Sequence, residues 1–262
     1  MTTDNLSPRD YVSTLRASHD QLVGLVADLD VAALTGPSYD TDWNIGQVLS
    51  HMGSQAEIFD LILDANAAGT EAPGVDVFRP IWAVWDAKEP EQWRTDSIAA
   101  NERHITRLEA MSDGELAAFR ISLFGLDLDM PGFVAMRLSE HAIHTWDVDV
   151  ALDPTATVAP AAVNVIAARL PSVAARATNP APDSYRVRMT ATDGEHDDVV
   201  VVGETIVIEP VGEGDEVDGH VTLPTEAYVR LVFGRLDPDH TPVVTATGTR
   251  GLDDLRTVFV GF

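Results

Sequence analysis

Glu140 and His144 stand four residues apart in a stretch whose apolar residues recur at helical spacing. In a helix, residues four apart share a face with neighbouring Cβ atoms, so a carboxylate and an imidazole there can aim at one point. A third donor must come from another helix, and His51, in the middle of a second helical pattern with predominantly apolar surroundings, is the best-placed histidine. Zinc, or another divalent cation, accepts nitrogen and oxygen donors, and a catalytic zinc site uses three protein ligands and keeps a fourth position open. Two histidines and one carboxylate meet that requirement.

Each of these residues has a plainer reading beside the functional one. A histidine on an apolar helix also serves as a hydrogen-bonded core residue, and Glu140–His144 as an exposed pair is worth only about 0.3 kcal/mol. His141 could replace either the carboxylate or His51 as a ligand, but it is rotated about 100° from Glu140 around the helix, which favours a role behind the ligands or in packing. Arg137 and Asp147 extend the face to Arg-x-x-Glu-x-x-x-His-x-x-Asp. An arginine there can clamp a substrate carboxylate, and a carboxylate behind a histidine can fix its tautomer. The alternative is an ion-pair ladder on an exposed face. Asp149 falls off the stripe, and Trp43 is expected to pack at the end of the helices.

The elements that must position these residues follow from periodicity. Apolar residues at helical spacing predict helices over 7–34, 45–68, 90–111 and 133–151, with Ser7-Pro8 a start signal, Gly69 a stop and Pro131-Gly132 an opening. Residues around Trp82 and Trp85 read as a short aromatic connection, and 112–129 as less regular. Four helices in succession predict an antiparallel four-helix bundle. An alanine-rich helix is expected over 159–177, followed by the Pro/Asn-rich stretch ATNPAPDS. Beyond it, β-branched runs at 185–190, 199–202, 205–209, 217–223 and 243–247 predict strands, with helices at 224–236 and 252–259. The expected fold class is α+β in two domains: a helical bundle over 1–158, a helical connection and linker over 159–182, and a small α+β domain over 183–262.

Composition narrows the function. The chain has 262 residues and a formal charge of -25, which opposes nucleic acid or an anionic membrane as a partner. No apolar run reaches membrane-spanning length and the N-terminus lacks the pattern of a signal peptide, so a cytoplasmic protein is expected. Cysteine is absent, so any metal must use His, Asp or Glu and any thiol must come from a bound small molecule.

The segment DTDWNIGQVLSHMGSQAE resembles the second-helix signature of the DinB-like metal-binding bundles, and MRLSEHAIHTWDVDVAL resembles their fourth. The specific match is to the mycothiol-dependent maleylpyruvate isomerase family, whose zinc ligands are a His, a Glu and a His. The resemblance assigns those roles to His51, Glu140 and His144. The segments VDGHVTLPTEAYVRLVFGRLDP and GLDDLRTVFVGF look like the small domain attached to such bundles, and Arg235 is the counterpart of an arginine that matters for activity in the isomerase. A capping role at the end of its own helix is the plainer reading of Arg235.

The resemblance implies mycothiol as cofactor or co-substrate and a small electrophile as substrate. A bound divalent ion favours thiolate over thiol, which suits either isomerisation by reversible addition to a double bond or permanent S-transfer. Arg137 or Arg235 would then hold an anionic group. The alternatives are a zinc hydrolase using metal-bound hydroxide and a non-catalytic, metal-stabilised binding protein.

Overall fold

The computed structural model describes residues 6–176, 179, 181–194 and 196–261. Two compact units are present, Met1–Ala162 and Val163–Phe262. The first is helical with one small hairpin, and the second carries a five-stranded sheet. Among the described residues no helix is long and apolar enough to cross a membrane.

Helix α1 (Pro8–Val26) opens on Pro8, with the Asp10 carboxylate accepting the Ser7 N–H at 2.7 Å. The single helix expected over 7–34 is in fact two. Asp30 accepts the Ala33 N–H at 2.8 Å and so begins a separate turn, α2 (Val31–Leu34). Aspartate bonds to backbone donors two or three residues ahead more readily than it continues a helix, which is why the chain breaks here.

Helix α3 (Ile45–Ala68) begins with a reciprocal cap, in which Gln47 N–H donates to Asn44 Oδ1 and Asn44 N–H donates to Gln47 Oε1. It stops at Gly69, whose φ of 66° is the left-handed conformation that glycine adopts without a Cβ penalty. The aromatic stretch read as a connection is a further helix, α4 (Val75–Asp86), despite Pro80 in its interior. Packing explains it. The buried Trp85 ring lies over Gly53 of α3 so closely that a Cβ on Gly53 would meet it at 2.2 Å, and Lys88 Nζ sits 3.5 Å from the ring centre.

Helix α5 (Pro90–Ala110) ends close to expectation. The irregular stretch after it contains α6 (Asp113–Ala118) and a hairpin of β1 (Arg120–Leu123) and β2 (Leu126–Asp129), joined by Phe124 and Gly125, both at positive φ. That two-residue turn matches the twist of the paired strands. Helix α7 (Met130–Leu152) starts where Asp129 accepts the Gly132 N–H at 2.9 Å. The first unit thus carries α2, α4 and α6 beyond the four long helices expected. Leu22, Val26, Leu34, Ile45, Val48, Leu49, Met52 and Val148 form one buried cluster that fixes the N-terminal half of α3 against the C-terminal half of α7.

The alanine-rich helix is also broken, into α8 (Pro160–Ala167) and α9 (Leu170–Ala174), with residue 177 outside the described range. Pro171 lacks an N–H and its ring crowds the carbonyl four residues back, which favours a break before it, and it stands in the first turn of α9 where that N–H is not needed. The Pro/Asn-rich stretch that follows lies partly outside the described residues, at 177, 178 and 180.

In the second unit, strands β3 (Tyr185–Ala191), β4 (Asp197–Val202), β5 (Val207–Pro210), β6 (Gly219–Leu223) and, after helix α10 (Thr225–Val232), β7 (Thr245–Gly248) form a sheet in the order β5-β4-β3-β6-β7. Among the described residues only the β3–β6 pair of this sheet is parallel, with Val187 opposite Gly219. Tyr185, Val187 and Met189 point into the core and Arg186 and Arg188 away from it, the alternation a half-buried strand requires. The helix expected to reach residue 236 stops at Val232, because Gly234 turns the chain at φ 71°. Helix α11 (Leu252–Val258) closes the described chain.

Candidate metal centre

The first unit brings His51 of α3 together with Glu140 and His144 of α7. One donor atom from each lies within 4.8 Å of the other two. His51 Nε2 is 3.6 Å and His144 Nε2 is 3.8 Å from Glu140 Oε2. A tetrahedral ion with bonds of about 2.0–2.1 Å has ligand–ligand edges of about 3.4 Å, so the two edges at Glu140 are close to what zinc requires. The two imidazoles meet at 72° with centroids 4.7 Å apart, so their edges converge without stacking. Side-chain exposures of 25% for His51, 31% for Glu140 and 10% for His144 keep the cluster within reach of solvent and small molecules.

Hydrogen bonds decide which ring nitrogens face the centre. His144 Nδ1 lies 2.8 Å from Oδ2 of the wholly buried Asp147. A carboxylate accepts, so Nδ1 carries the proton and the Nε2 lone pair faces Glu140. His51 Nε2 lies 2.8 Å from the side-chain nitrogen of Gln55, which also donates to Glu140 Oε2 at 2.7 Å. The amide donates, so Nε2 is the unprotonated nitrogen of His51 and its lone pair accepts from Gln55.

Burial holds the His51 imidazole below its ordinary pKa, against the opposing pull of Glu140, so it is neutral at pH 7. Burial acts against charge on Glu140, but the imidazoles and the Gln55 amide outweigh it and hold its carboxyl well below the usual range. A divalent cation requires an ionised carboxylate and imidazole lone pairs, so binding it displaces any proton those nitrogens hold.

The other expected site residues separate. Arg137 is completely buried and does not face the opening of the centre. Its Nη1 donates to Gln55 Oε1 at 3.1 Å, and Nη2 donates to the Met52 carbonyl at 3.1 Å and to Asn101 Oδ1. The substrate clamp expected at Arg137 is therefore corrected: both terminal nitrogens of the fork are engaged by internal acceptors, and Nε, which has no partner among the described residues, is sealed in the interior with them. Burial brings its pKa down to about 10, partly offset by Glu140 and Asp60, and it stays charged. With Arg137 and Asp147 both wholly buried, the exposed ion-pair ladder is also ruled out.

His141 lies outside the cluster. It is buried with Nδ1 2.8 Å from Ser18 Oγ, and the His19 ring stands edge-on to it at 5.9 Å. Asp149 accepts from Gln21 Nε2 at 3.1 Å, away from the centre. Trp43 packs against the buried cluster of the helices, as expected, and its ring also lies on that of His51 with centroids 4.9 Å apart and 6.0 Å from His144, forming a wall of the site. Arg235 belongs to the second unit, where it is buried and its Nη1 donates to the Phe233 carbonyl at 3.0 Å, just past the end of α10.

A family model for the mycothiol maleylpyruvate isomerase N-terminal domain matches residues 15–149, more than half of the chain and the span that holds all three donors. The chain belongs to this family. Its fold is that of the crystal structure of the mycothiol-dependent maleylpyruvate isomerase, with a TM-score of 0.70 at 15% identity over 94% of this chain and 95% of that one. A variant of that enzyme with one histidine replaced by alanine gives a TM-score of 0.71 at 14% identity over the same shares. No curated protein matches the chain in sequence. In this member of the family, the residue that sequence reasoning passed over is Gln55. Its position four residues after His51 on α3 was the signal, since that spacing puts an amide on the histidine's face.

Proposed function

We propose that the chain is a metal-dependent enzyme that uses mycothiol to isomerise a small unsaturated electrophile, with His51, Glu140 and His144 holding a divalent ion, zinc by donor set. The observation that carries this reading is the gathering of two imidazole nitrogens and one carboxylate oxygen within 4.8 Å of one another, in a chain of the mycothiol isomerase family. When bound, the ion supplies Lewis acidity that favours thiolate at neutral pH, and the thiol supplies a nucleophile whose reversible addition to a conjugated double bond permits rotation.

The chain's own residues prepare for that chemistry. Asp147 fixes the His144 tautomer and raises its basicity as a donor. Trp43 shields one side of His51 and supplies an apolar wall for a small substrate. The absence of cysteine leaves the thiol to a diffusible cofactor. Arg235 is the candidate for an anionic group of substrate or thiol, a role Arg137 cannot fill from inside the helical unit.

The test is metal analysis of the purified chain, followed by titration of a cobalt-substituted sample with mycothiol. One ion per chain and a sulfur-to-cobalt charge-transfer band on adding thiol are the expected results. Protein that binds no ion would overturn the reading. Protein that binds an ion, ignores the thiol and cleaves esters or amides would move it to a hydrolase.

A further inference from the structure

We infer that Arg137 and Gln55 form a buried positioning relay, in which Arg137 clamps the Gln55 amide so that its NH2 group holds Glu140 in its ligating orientation. The inference rests on the metal-dependent reading above. Arginine can only donate and an ionised carboxylate can only accept, so the amide's orientation is fixed from both ends: Oε1 towards Arg137, Nε2 towards Glu140. Neither residue has to touch substrate for this to matter.

A buried guanidinium is costly, and an apolar side chain of similar length fills the same space without that cost. Arg137 is kept charged by acceptors on two other helices at once, the Met52 carbonyl and Gln55 on α3 and Asn101 on α5. Asn101 is itself held by donating to the Ser97 carbonyl at 2.9 Å. The chain of contacts therefore runs from the interior of α5, through α7, to a single amide on α3, and ends on a metal ligand. Between ligands the amide nitrogen stands 2.7 Å from Glu140 Oε2 and 2.8 Å from His51 Nε2, so one donor keeps both from collapsing elsewhere. An ion takes the His51 lone pair, and the bond to Glu140 is the one that remains.

The experiment is a double-mutant cycle on the full chain with Gln55→Met and Arg137→Met, read as zinc affinity by chelator competition and as the visible spectrum of the cobalt form. Gln55→Met is expected to weaken zinc binding roughly 10- to 100-fold, the usual effect of removing a partner behind a ligand. Arg137→Met is expected to weaken it in the same direction, and the double variant no further than the weaker single variant, with matching cobalt spectra. If Arg137→Met does not fold, Asn101→Ala, which removes its anchor on α5, takes its place with the same expectations. Wild-type affinity in Gln55→Met, or losses that multiply in the double variant, would overturn the relay. A wild-type chain that binds no zinc would instead overturn the metal-dependent reading on which it rests.

Discussion

His144 and Asp147, one helical turn apart on α7, share a hydrogen bond of 2.8 Å between an imidazole Nδ1 and a carboxylate with no exposure to solvent. The bond fixes which nitrogen is left to bind a cation. Replacing Asp147 by alanine should leave His144 free to rotate and to change tautomer. Zinc affinity should then fall about 10- to 100-fold, measured by chelator competition. Unchanged affinity would show that packing alone orients the ring.

Metal loading should stabilise the chain, because an ion that binds only the folded state adds about 2.7 kcal/mol at a free concentration 100 times its Kd. A chelator should therefore lower the Tm of the wild-type chain and have no effect on His144→Ala. That variant should lose stoichiometric metal while its far-ultraviolet dichroism stays near wild type. A chelator response equal to that of wild type would place the ion elsewhere.

Two glycines on long helices should respond in opposite directions. Gly53 on α3 faces the Trp85 ring at a separation no Cβ can share, so Gly53→Ala must push α4 outward and should cost about 1–3 kcal/mol. A methyl group on Gly24 of α1 would meet nothing within 4 Å, so Gly24→Ala should gain roughly 0.5–1 kcal/mol of helix propensity. Denaturant midpoints of the two variants decide it, and equal shifts would contradict the packing of α4.

Burial holds His19, His104 and His141 below the ordinary histidine pKa, so in the folded state each stays neutral where the unfolded chain would take up a proton. Between the folded value and the unfolded value of about 6.5, the unfolded state binds more protons, and stability falls as pH falls. Each such group contributes a slope of up to about 1.4 kcal/mol per pH unit in that window and none above it. Metal-free protein should therefore show a flat urea midpoint above about pH 7.5 and a declining one towards pH 5.5, and His141→Gln should flatten the decline. An unchanged slope in that variant would mean His141 is not held neutral.

The donors were legible in the sequence because a helix has a fixed period. Glu140 and His144 had to share a face once residues 130–152 were helical, and Gly69 had to end α3 because few other residues turn left-handed there without strain. The strands of the second unit were visible through their β-branched runs for the same local reason. Other features were hidden. Helix α4 is short and carries an interior proline, which masked the helical spacing of Phe78, Ile81, Trp82 and Trp85, and it is held where Trp85 meets Gly53 on a neighbouring helix. The break at Asp30 turned on a side chain choosing a backbone donor over continuing the helix.

Periodicity placed Arg137 on the same stripe as the donors, and it remained equally compatible with a substrate clamp. Its direction was settled by what lies opposite: a carbonyl on α3, an amide on α3 and an asparagine on α5. Sequence determined which faces exist, because backbone geometry repeats every 3.6 residues. Which residues meet across those faces was decided only by tertiary packing, because buried polar groups must find partners and those partners come from other helices.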